Sequence, residues 1–252
     1  MVRFSLVLKR MKGYIRQLSL ISEKQLILNY QMGKVGSSSV GEWLRLNNKP
    51  EWHIHRFFDT PVHGYKNKNL GLKTADLLLF KVFRLLNRKI LIVTGVREPL
   101  DRDASMYFHN NGKKNLDVKA HVECFNSFFP ILKCVDWYRD ELLALVGVDI
   151  FDYKFDKIAG FSIIEKNNVR IFLYRLDKLA ELEKELSLFF GYEDFELISR
   201  NIGENKSYSF EYAKFKSAIS FDRRSITKSE RRFMSHFYSE SDIEAYFGRW
   251  YN

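Results

Sequence analysis

A short turn with two glycines, one lysine and three serines has the residue types that bind an anion. The residues of this candidate loop are Gly33, Lys34, Val35, Gly36, Ser37, Ser38 and Ser39. The glycines let the backbone approach a ligand closely, the lysine adds a mobile cation and the serines add hydroxyl donors. An apolar run precedes the turn and a helical pattern follows it, so helix N–H groups and the helix dipole favour negative charge there. The turn therefore predicts a phosphate- or phosphosulfate-binding loop.

An ordinary strand-to-helix connection with a serine N-cap would give the same pattern, and the sequence keeps this alternative open. The ATP-binding pattern Gly-x-x-x-x-Gly-Lys-Ser/Thr is not met, because Lys34 precedes Gly36 instead of following it. The position of this lysine argues against a site for ATP with magnesium.

An arginine and a serine eight residues further on form a second candidate for anion binding. Arg97 follows a β-branched run, and Ser105 lies two turns into the helix predicted after it. A guanidinium can bind phosphate through two parallel hydrogen bonds, and a hydroxyl adds another donor. Arg102 has an aspartate on each side, which is more typical of a local ion pair.

Two histidines separated by one residue supply a candidate base. His53 and His55 lie in the predicted strand Glu51–Phe58, and alternation along a strand places both side chains on one face. The ordinary pKa of histidine, about 6.5, suits proton transfer near neutral pH. Core histidines satisfied by backbone groups are the alternative for both. Glu98 is a weaker candidate base, since an ion pair with Arg97 accounts for it.

The elements that must position these residues follow an α/β pattern. The predicted strands are the apolar run from Leu26, Glu51–Phe58, Lys89–Val96, Phe161–Glu165 and Val169–Tyr174. The predicted helices are Ser37–Asn47, Thr74–Asn87 with Thr74 as N-cap, Leu100–Asn110, two within Leu116–Val146, Leu176–Phe190 and two or three within Tyr208–Tyr251.

This alternation favours a single α/β domain over residues 1–252, with a mostly parallel, P-loop-like central sheet flanked by helices. Residues 1–24 are predicted to be an N-terminal extension, and 207–252 a helical C-terminal part. Ligands of such sheets bind beyond the carboxyl ends of the strands, where the loop and Arg97 both fall.

The composition is that of a packed globular protein with an anionic partner. The 252 residues are 46% hydrophobic and 15% aromatic, with a formal net charge of +10. Charge alone does not distinguish a nucleotide, a nucleic acid, an acidic glycan or a membrane surface. Cys124 and Cys134 lack a further Cys or His pair at metal-ligand spacing, which predicts free thiols and no metal site.

The N-terminal residues mix apolar with basic side chains. Their apolar run, Phe4–Leu8, is too short to cross a membrane, and no cleavage-site pattern follows it. We expect a bacterial cytoplasmic protein, with a lumenal catalytic fragment of a secretory-pathway protein as the alternative. A weak contact of the basic N-terminus with a membrane surface stays open.

Together, the three stretches resemble sulfotransferases that use 3′-phosphoadenosine-5′-phosphosulfate (PAPS). The loop resembles their 5′-phosphosulfate loop, and the stretch from Arg97 to Ser105 resembles the 3′-phosphate motif of glycan and capsular-polysaccharide sulfotransferases. His53-Ile54-His55 is similar to the paired-histidine segment of the uronyl 2-O-sulfotransferase branch. The order and spacing fit over roughly the first half of the chain, and the second half fits in outline.

The resemblance implies roles for these residues. The loop, Arg97 and Ser105 would hold the nucleotide, and Lys34 would neutralise charge on the leaving oxygen. His55 would be the catalytic base, with His53 as the second candidate.

The resemblance also implies the ligands. The donor would be PAPS and the product 3′-phosphoadenosine-5′-phosphate (PAP), with no metal. Asn205 and Lys206 would lie in a late loop that closes over the nucleotide. The acceptor would be a carbohydrate or another hydroxyl-bearing molecule, and no nucleic-acid partner is implied.

Two other functions compete with this interpretation. A P-loop-type nucleotide kinase or phosphotransferase shares the fold logic, but it needs a lysine after the second glycine and carboxylates for magnesium. A non-catalytic protein that binds nucleic acid or a membrane surface would account for the charge. Such a protein should concentrate Lys and Arg in one stripe, whereas here they are spread through the chain.

Overall fold

A five-stranded sheet forms the centre of the protein. The computed structural model describes residues 24–47, 51–58, 70–112, 114, 116–128, 131–191 and 209–252. The strands are β1 (Gln25–Tyr30), β2 (Glu51–Ile54), β3 (Lys89–Val96), β4 (Phe161–Lys166) and β5 (Val169–Arg175). Their order is β2-β1-β3-β5-β4; the first four in this order are parallel, and β4 runs antiparallel to β5. The predicted α/β class with a mostly parallel central sheet is confirmed.

Helices cover both faces of the sheet. The helices are α1 (Ser37–Leu46), α2 (Leu70–Leu85), α3 (Pro99–Asn111), α4 (Val118–Phe128), α5 (Lys133–Trp137), α6 (Ala144–Val146), α7 (Glu183–Phe190), α8 (Ser209–Ala218), α9 (Lys228–Phe237) and α10 (Glu240–Trp250). A π-helical segment, Tyr138–Leu143, joins α5 to α6, and Leu176–Glu181 is a 3-10 helix before α7. The three C-terminal helices, α8 to α10, agree with the predicted helical C-terminal part.

The central strands are apolar on both faces because each face packs against helices. Leu26 and Leu28 of β1 face a core that includes residues of α2, α3 and the C-terminal helices. Ile27, between them, faces a second core built with α1 and α7, in which Trp43 stacks on Phe190. Burial on both faces explains the continuous apolar runs that predicted these strands.

The chain reverses its direction of travel across the sheet after β2. From β1 it moves outwards to β2, and it then returns to the other side of β1 to form β3. In open α/β sheets, ligands bind at such a reversal point, beyond the carboxyl ends of the two strands. The loop at 33–39 follows β1 and Arg97 follows β3, so both lie at this point.

Three elements differ from the predictions by more than one or two residues at an end. Strand β2 ends at Ile54, because the N–H groups of Phe57 and Phe58 donate to the Glu141 carboxylate at 2.7 and 3.2 Å and do not join a ladder. Helix α2 begins at Leu70, so Thr74 lies inside the helix and is not its N-cap. An isolated glycine, here Gly71, is tolerated within this helix. The stretch predicted as a helix over 176–190 begins as a 3-10 helix.

In the described part of the chain, every helix is too short or too polar to span a bilayer.

Candidate functional site

The loop after β1 turns its carbonyl oxygens towards the protein interior. Arg102, which is almost completely buried, donates from Nε to the carbonyl of Gly33 at 3.1 Å. Arg97 donates from Nη1 to the carbonyl of Lys34 at 3.0 Å. Arg102 of α3 and Arg97, which precedes this helix, therefore hold two successive carbonyls of the loop.

Buried side chains of the sheet hold two further carbonyls. The hydroxyl of Tyr174 donates to the carbonyl of Val35 at 2.7 Å, and Asn29 Nδ2 donates to the carbonyl of Ser37 at 2.8 Å. The same Tyr174 hydroxyl lies 2.9 Å from Gln31 Oε1, and Gln31 Nε2 lies 2.5 Å from Asn29 Oδ1. All three side chains are fully buried, so this network fixes the loop from below.

This arrangement directs backbone N–H groups to the opposite side of the loop. In a trans peptide the C=O of one residue and the N–H of the next point in opposite directions, and the described residues contain no cis peptide. Because the carbonyls of residues 33, 34, 35 and 37 point inwards, the N–H groups of residues 34, 35, 36 and 38 point away from the interior. Left-handed backbone at Lys34 (φ 75°) and Gly36 (φ 94°) shapes this concavity. Successive N–H groups of this kind bind anions.

The start of α1 adds to the same site. Its N-cap is Gly36, which has no side chain to accept hydrogen bonds from the first turn, and that turn contains no acidic residue. The uncapped N–H groups and the helix dipole favour an anion at this position. The structure thus brings together the seven residues of the predicted loop.

Gly95 is the glycine on which the loop network depends. It lies opposite Tyr174 in the register of β3 and β5, and the tyrosine ring crosses over it to reach Val35. A Cβ atom on Gly95 would lie 2.7 Å from Tyr174 Cζ and 2.8 Å from the carbonyl oxygen of Val35. A side chain at this position would displace the loop.

Arg97 lies beside the loop but shares its charge with a carboxylate. Its Nε donates to Asp101 Oδ2 at 2.7 Å, and Lys216 of α8 forms an ion pair with the same carboxylate. Burial acts to raise the pKa of Asp101, but the charges of Arg97 and Lys216 outweigh it and hold the pKa below its usual value. Two cations against one carboxylate leave a positive site for a second anion.

Ser105 and Tyr212 complete this second site. Burial raises the pKa of Tyr212 to about 12, with Asp101 adding to the rise and Arg97 and Ser105 opposing it. Tyr212 and Lys216 are on one face of α8, one turn apart, and the sequence alone did not single them out. Their i, i+4 spacing was the available signal, but only the packing of α8 on α3 brings them to Arg97.

If the second site holds the 3′-phosphate that the resemblance implies, replacing Arg97 by alanine should weaken the binding of PAP. Hydrogen bonds to charged groups contribute about 1.5–3 kcal/mol, which corresponds to a loss of roughly 10- to 150-fold in PAP affinity. Calorimetric titration of PAP into the variant measures the loss. Arg224→Ala is the matched control, because this exposed arginine pairs with Asp222 in a 3-10 turn of the C-terminal part. Equal affinities of the two variants would contradict the role of Arg97.

His55 lies just beyond β2 and is held in one orientation. Its Nδ1 is 2.7 Å from the carbonyl oxygen of Gln31, which can only accept, so Nδ1 carries the proton and Nε2 carries the lone pair. The pKa of His55 is lowered, because the surrounding protein removes water from the ring and because Arg102, Arg56 and Lys34 are positive. We refer to the loop at 33–39 as the anion loop. A neutral ring next to this loop suits a general base.

The side chains of His53 and His55 lie on the same side of the sheet. The two rings meet edge to face, with their centroids 4.7 Å apart. His53 is within β2, opposite Asn29 of β1, whereas His55 lies past the end of the strand. The predicted common side is therefore present, although only His53 is in the strand itself.

The ion pairs of Arg102 and Glu98 compare differently with their predictions. Arg102 forms the predicted local ion pair, with Asp103 Oδ1 at 2.8 Å. The predicted pair between Glu98 and Arg97 is wrong: Glu98 pairs with Arg249 of α10 at 2.9 Å, because Arg97 turns towards Asp101 and the loop. Burial raises the pKa of Glu98.

The remaining predictions concern the late loop, a metal site and the two cysteines. Asn205 and Lys206 lie outside the described residues. Within the ranges that the structure describes, no group of three or more His, Cys, Asp or Glu side chains is arranged to hold a metal ion. Cys124 and Cys134 are free thiols.

Comparison of the chain with protein-family models, with curated proteins and with solved structures finds no match in any of the three.

Proposed function

We propose that the protein is a sulfotransferase that moves a sulfuryl group from PAPS to a hydroxyl of a carbohydrate. The observation that carries the proposal is the inward orientation of the loop carbonyls at Gly33, Lys34, Val35 and Ser37. It leaves an N–H-lined site for one anion, at the point of the sheet where ligands bind. A second cationic site and a neutral histidine stand beside it.

The two anion sites suit a nucleotide with charged groups at both ends. In this proposal the loop at 33–39 holds the 5′-phosphosulfate, and Arg97 with Ser105 holds the 3′-phosphate. Arg97 also donates to the carbonyl of Lys34, so one side chain links the two sites directly. Such a bridge would make binding at one end of the nucleotide favour binding at the other.

The reaction step balances with the residues present. The acceptor oxygen attacks sulfur, and its proton moves to Nε2 of His55. The bond between sulfur and the 5′-phosphate oxygen breaks, and that oxygen leaves as part of PAP. Lys34 stabilises the negative charge that develops on this oxygen. Positioning and charge stabilisation supply most of the catalysis in related phosphoryl transfers, and we expect the same here.

A nucleotide kinase is the second candidate function, and two features argue against it. Lys34 precedes the second glycine of the loop. Asp101, a carboxylate beside the second site, already accepts from Arg97 and Lys216 and is not poised for magnesium. The kinase proposal therefore needs a rearrangement that the sulfotransferase proposal does not.

Transfer of labelled sulfate tests the proposal. The protein is incubated with PAPS that carries radioactive sulfur and with chondroitin, an unsulfated polysaccharide that contains uronate. We expect label in the polysaccharide and release of PAP. A second incubation with labelled ATP and magnesium tests phosphoryl transfer, and label from ATP alone would replace the proposal by the kinase alternative.

A further inference from the structure

Glu141 is a buried carboxylate that the proposed reaction does not use. It lies in the π-helical segment, and its Oε2 accepts three hydrogen bonds. Two come from the N–H groups of Phe57 at 2.7 Å and Phe58 at 3.2 Å, and the third comes from the hydroxyl of Tyr30 at 2.8 Å. Burial of a carboxylate is costly unless donors satisfy it, so this group strongly constrains the backbone that supplies them.

The constrained backbone is the segment that carries His55. Trp137, one turn before Glu141, donates from Nε1 to the carbonyl of His55 at 2.9 Å. The ring of His55 donates to the carbonyl of Gln31 at 2.7 Å. His55 is thus held at its ring and at its own carbonyl. The backbone that follows it is held in addition by the hydrogen bonds of Phe57 and Phe58 to Glu141.

Tyr30 ties the same carboxylate to the anion loop. It is the last residue of β1, three residues before the loop begins at Gly33, and burial raises its pKa well above the usual value, as does Glu141. Glu141 therefore contacts both the strand that leads into the loop and the segment that carries the candidate base. π-Helical turns of this kind occur frequently at functional sites.

We infer that Glu141 is a positioning residue, whose carboxylate fixes the distance between Nε2 of His55 and the anion loop. The inference rests on the proposed function. A displacement of about 1 Å at a reacting group can cost roughly 100-fold in rate. Loss of the carboxylate should therefore affect transfer far more than nucleotide binding.

Variants of two buried glutamates separate positioning from general stability. Glu230 is also fully buried and accepts from the hydroxyls of Tyr246 at 2.6 Å and Tyr251 at 2.7 Å, within the C-terminal helices. With PAPS and chondroitin, Glu141→Ala should lower turnover by roughly 100-fold and leave PAP affinity within about twofold. Glu141→Gln keeps an oxygen acceptor, so turnover should fall by less than about tenfold. Glu230→Ala should lower the melting temperature and leave turnover near that of the unchanged protein.

A titration of His55 by NMR provides a readout that does not depend on the reaction. We expect its pKa to rise towards the ordinary histidine value in Glu141→Ala, because the ring, which belongs to an exposed residue, moves away from the protein groups that desolvate it and from the charges of Arg102, Arg56 and Lys34. The pKa should not change in Glu230→Ala. If Glu141→Ala does not fold, the same comparison is made with Glu141→Gln, in which a smaller rise is expected.

The outcomes of the two measurements are distinguishable. Unchanged turnover and an unchanged His55 pKa in the Glu141 variants, with PAP still bound, would overturn the positioning role and leave the proposed function standing. If the unchanged protein neither binds PAP nor turns over PAPS, the sulfotransferase proposal is rejected. A raised His55 pKa in Glu141→Ala would in that case still support the role of Glu141 in positioning the ring.

Discussion

Replacing His55 by alanine should nearly abolish transfer while leaving PAP affinity within about twofold, because general-base catalysis contributes roughly 10²- to 10⁴-fold. Its Nδ1 donates to the backbone carbonyl of Gln31, two residues before the loop, so removing the side chain leaves the hydrogen bonds that hold the four loop carbonyls in place. Initial rates with PAPS and chondroitin, beside calorimetry with PAP, give the two quantities. His53→Ala tests the second candidate base; it removes the neighbouring ring from the same side of the sheet, and we expect it to retain most of the turnover. Retained turnover in His55→Ala would remove His55 as the base.

The pH dependence of turnover follows from the lowered pKa of His55. A base whose pKa lies below the ordinary value of about 6.5 stays neutral to lower pH, so the acidic limb of kcat/KM, which reports the ligand-free enzyme, should lie below that value. The contribution of His55 to folding stability likewise increases with pH. The unfolded chain binds the proton more readily, so His55 contributes stability above its unfolded pKa, and this contribution is lost as pH falls through the folded pKa.

Replacing Gly95 by alanine should have the second large effect, on the loop itself. The new Cβ would lie 2.7 Å from Tyr174 Cζ and 2.8 Å from the backbone oxygen of Val35, and neither can move without breaking the network under the loop. Overpacking of this kind costs about 1–3 kcal/mol of unfolding free energy. We expect PAP affinity to fall by roughly 100-fold, which equals about 3 kcal/mol. Urea unfolding and calorimetry measure the two losses.

A second glycine provides the control for this variant. Gly248 is exposed in α10, and a Cβ there would meet nothing within 4 Å. Gly248→Ala should therefore leave PAP affinity unchanged and raise the unfolding free energy by up to about 1 kcal/mol, the difference in helix propensity. If Gly95→Ala behaves like Gly248→Ala, the loop does not depend on the passage of Tyr174 over β3.

The sequence was sufficient for the features that are local in the chain. Strand β3 was predicted with both of its ends, because a β-branched run ends at an arginine and a proline. The turn between β1 and α1 was predicted because glycines and serines follow an apolar run, and its binding of an anion stays a prediction. Its place at the carboxyl edge followed from the mostly parallel sheet that the alternation of strands and helices predicts, and the parallel pairing of β1 with β2 and β3 agrees with that expectation.

The groups that hold the loop and His55 were not predictable, because they come from distant parts of the chain. Tyr174 lies 139 residues from Val35, and Glu141 lies 84 residues from Phe57. Nothing in the pattern around either residue indicates a contact of this kind. Lys216 likewise reaches Asp101 across 115 residues, only after α8 has packed. A local pattern can therefore predict an anion loop but not the network that fixes its carbonyls.

Calorimetric binding of PAP, measured beside ATP with magnesium, tests the central claim most directly. The two anion sites are joined by Arg97, so a nucleotide with phosphates at its 3′ and 5′ positions should bind at least about tenfold more tightly than ATP with magnesium, a difference of about 1.4 kcal/mol. Lys34→Ala should weaken the binding of PAP. Tighter binding of ATP with magnesium, or PAP binding that is the same in the Lys34 and Arg97 variants as in the unchanged protein, would contradict the account.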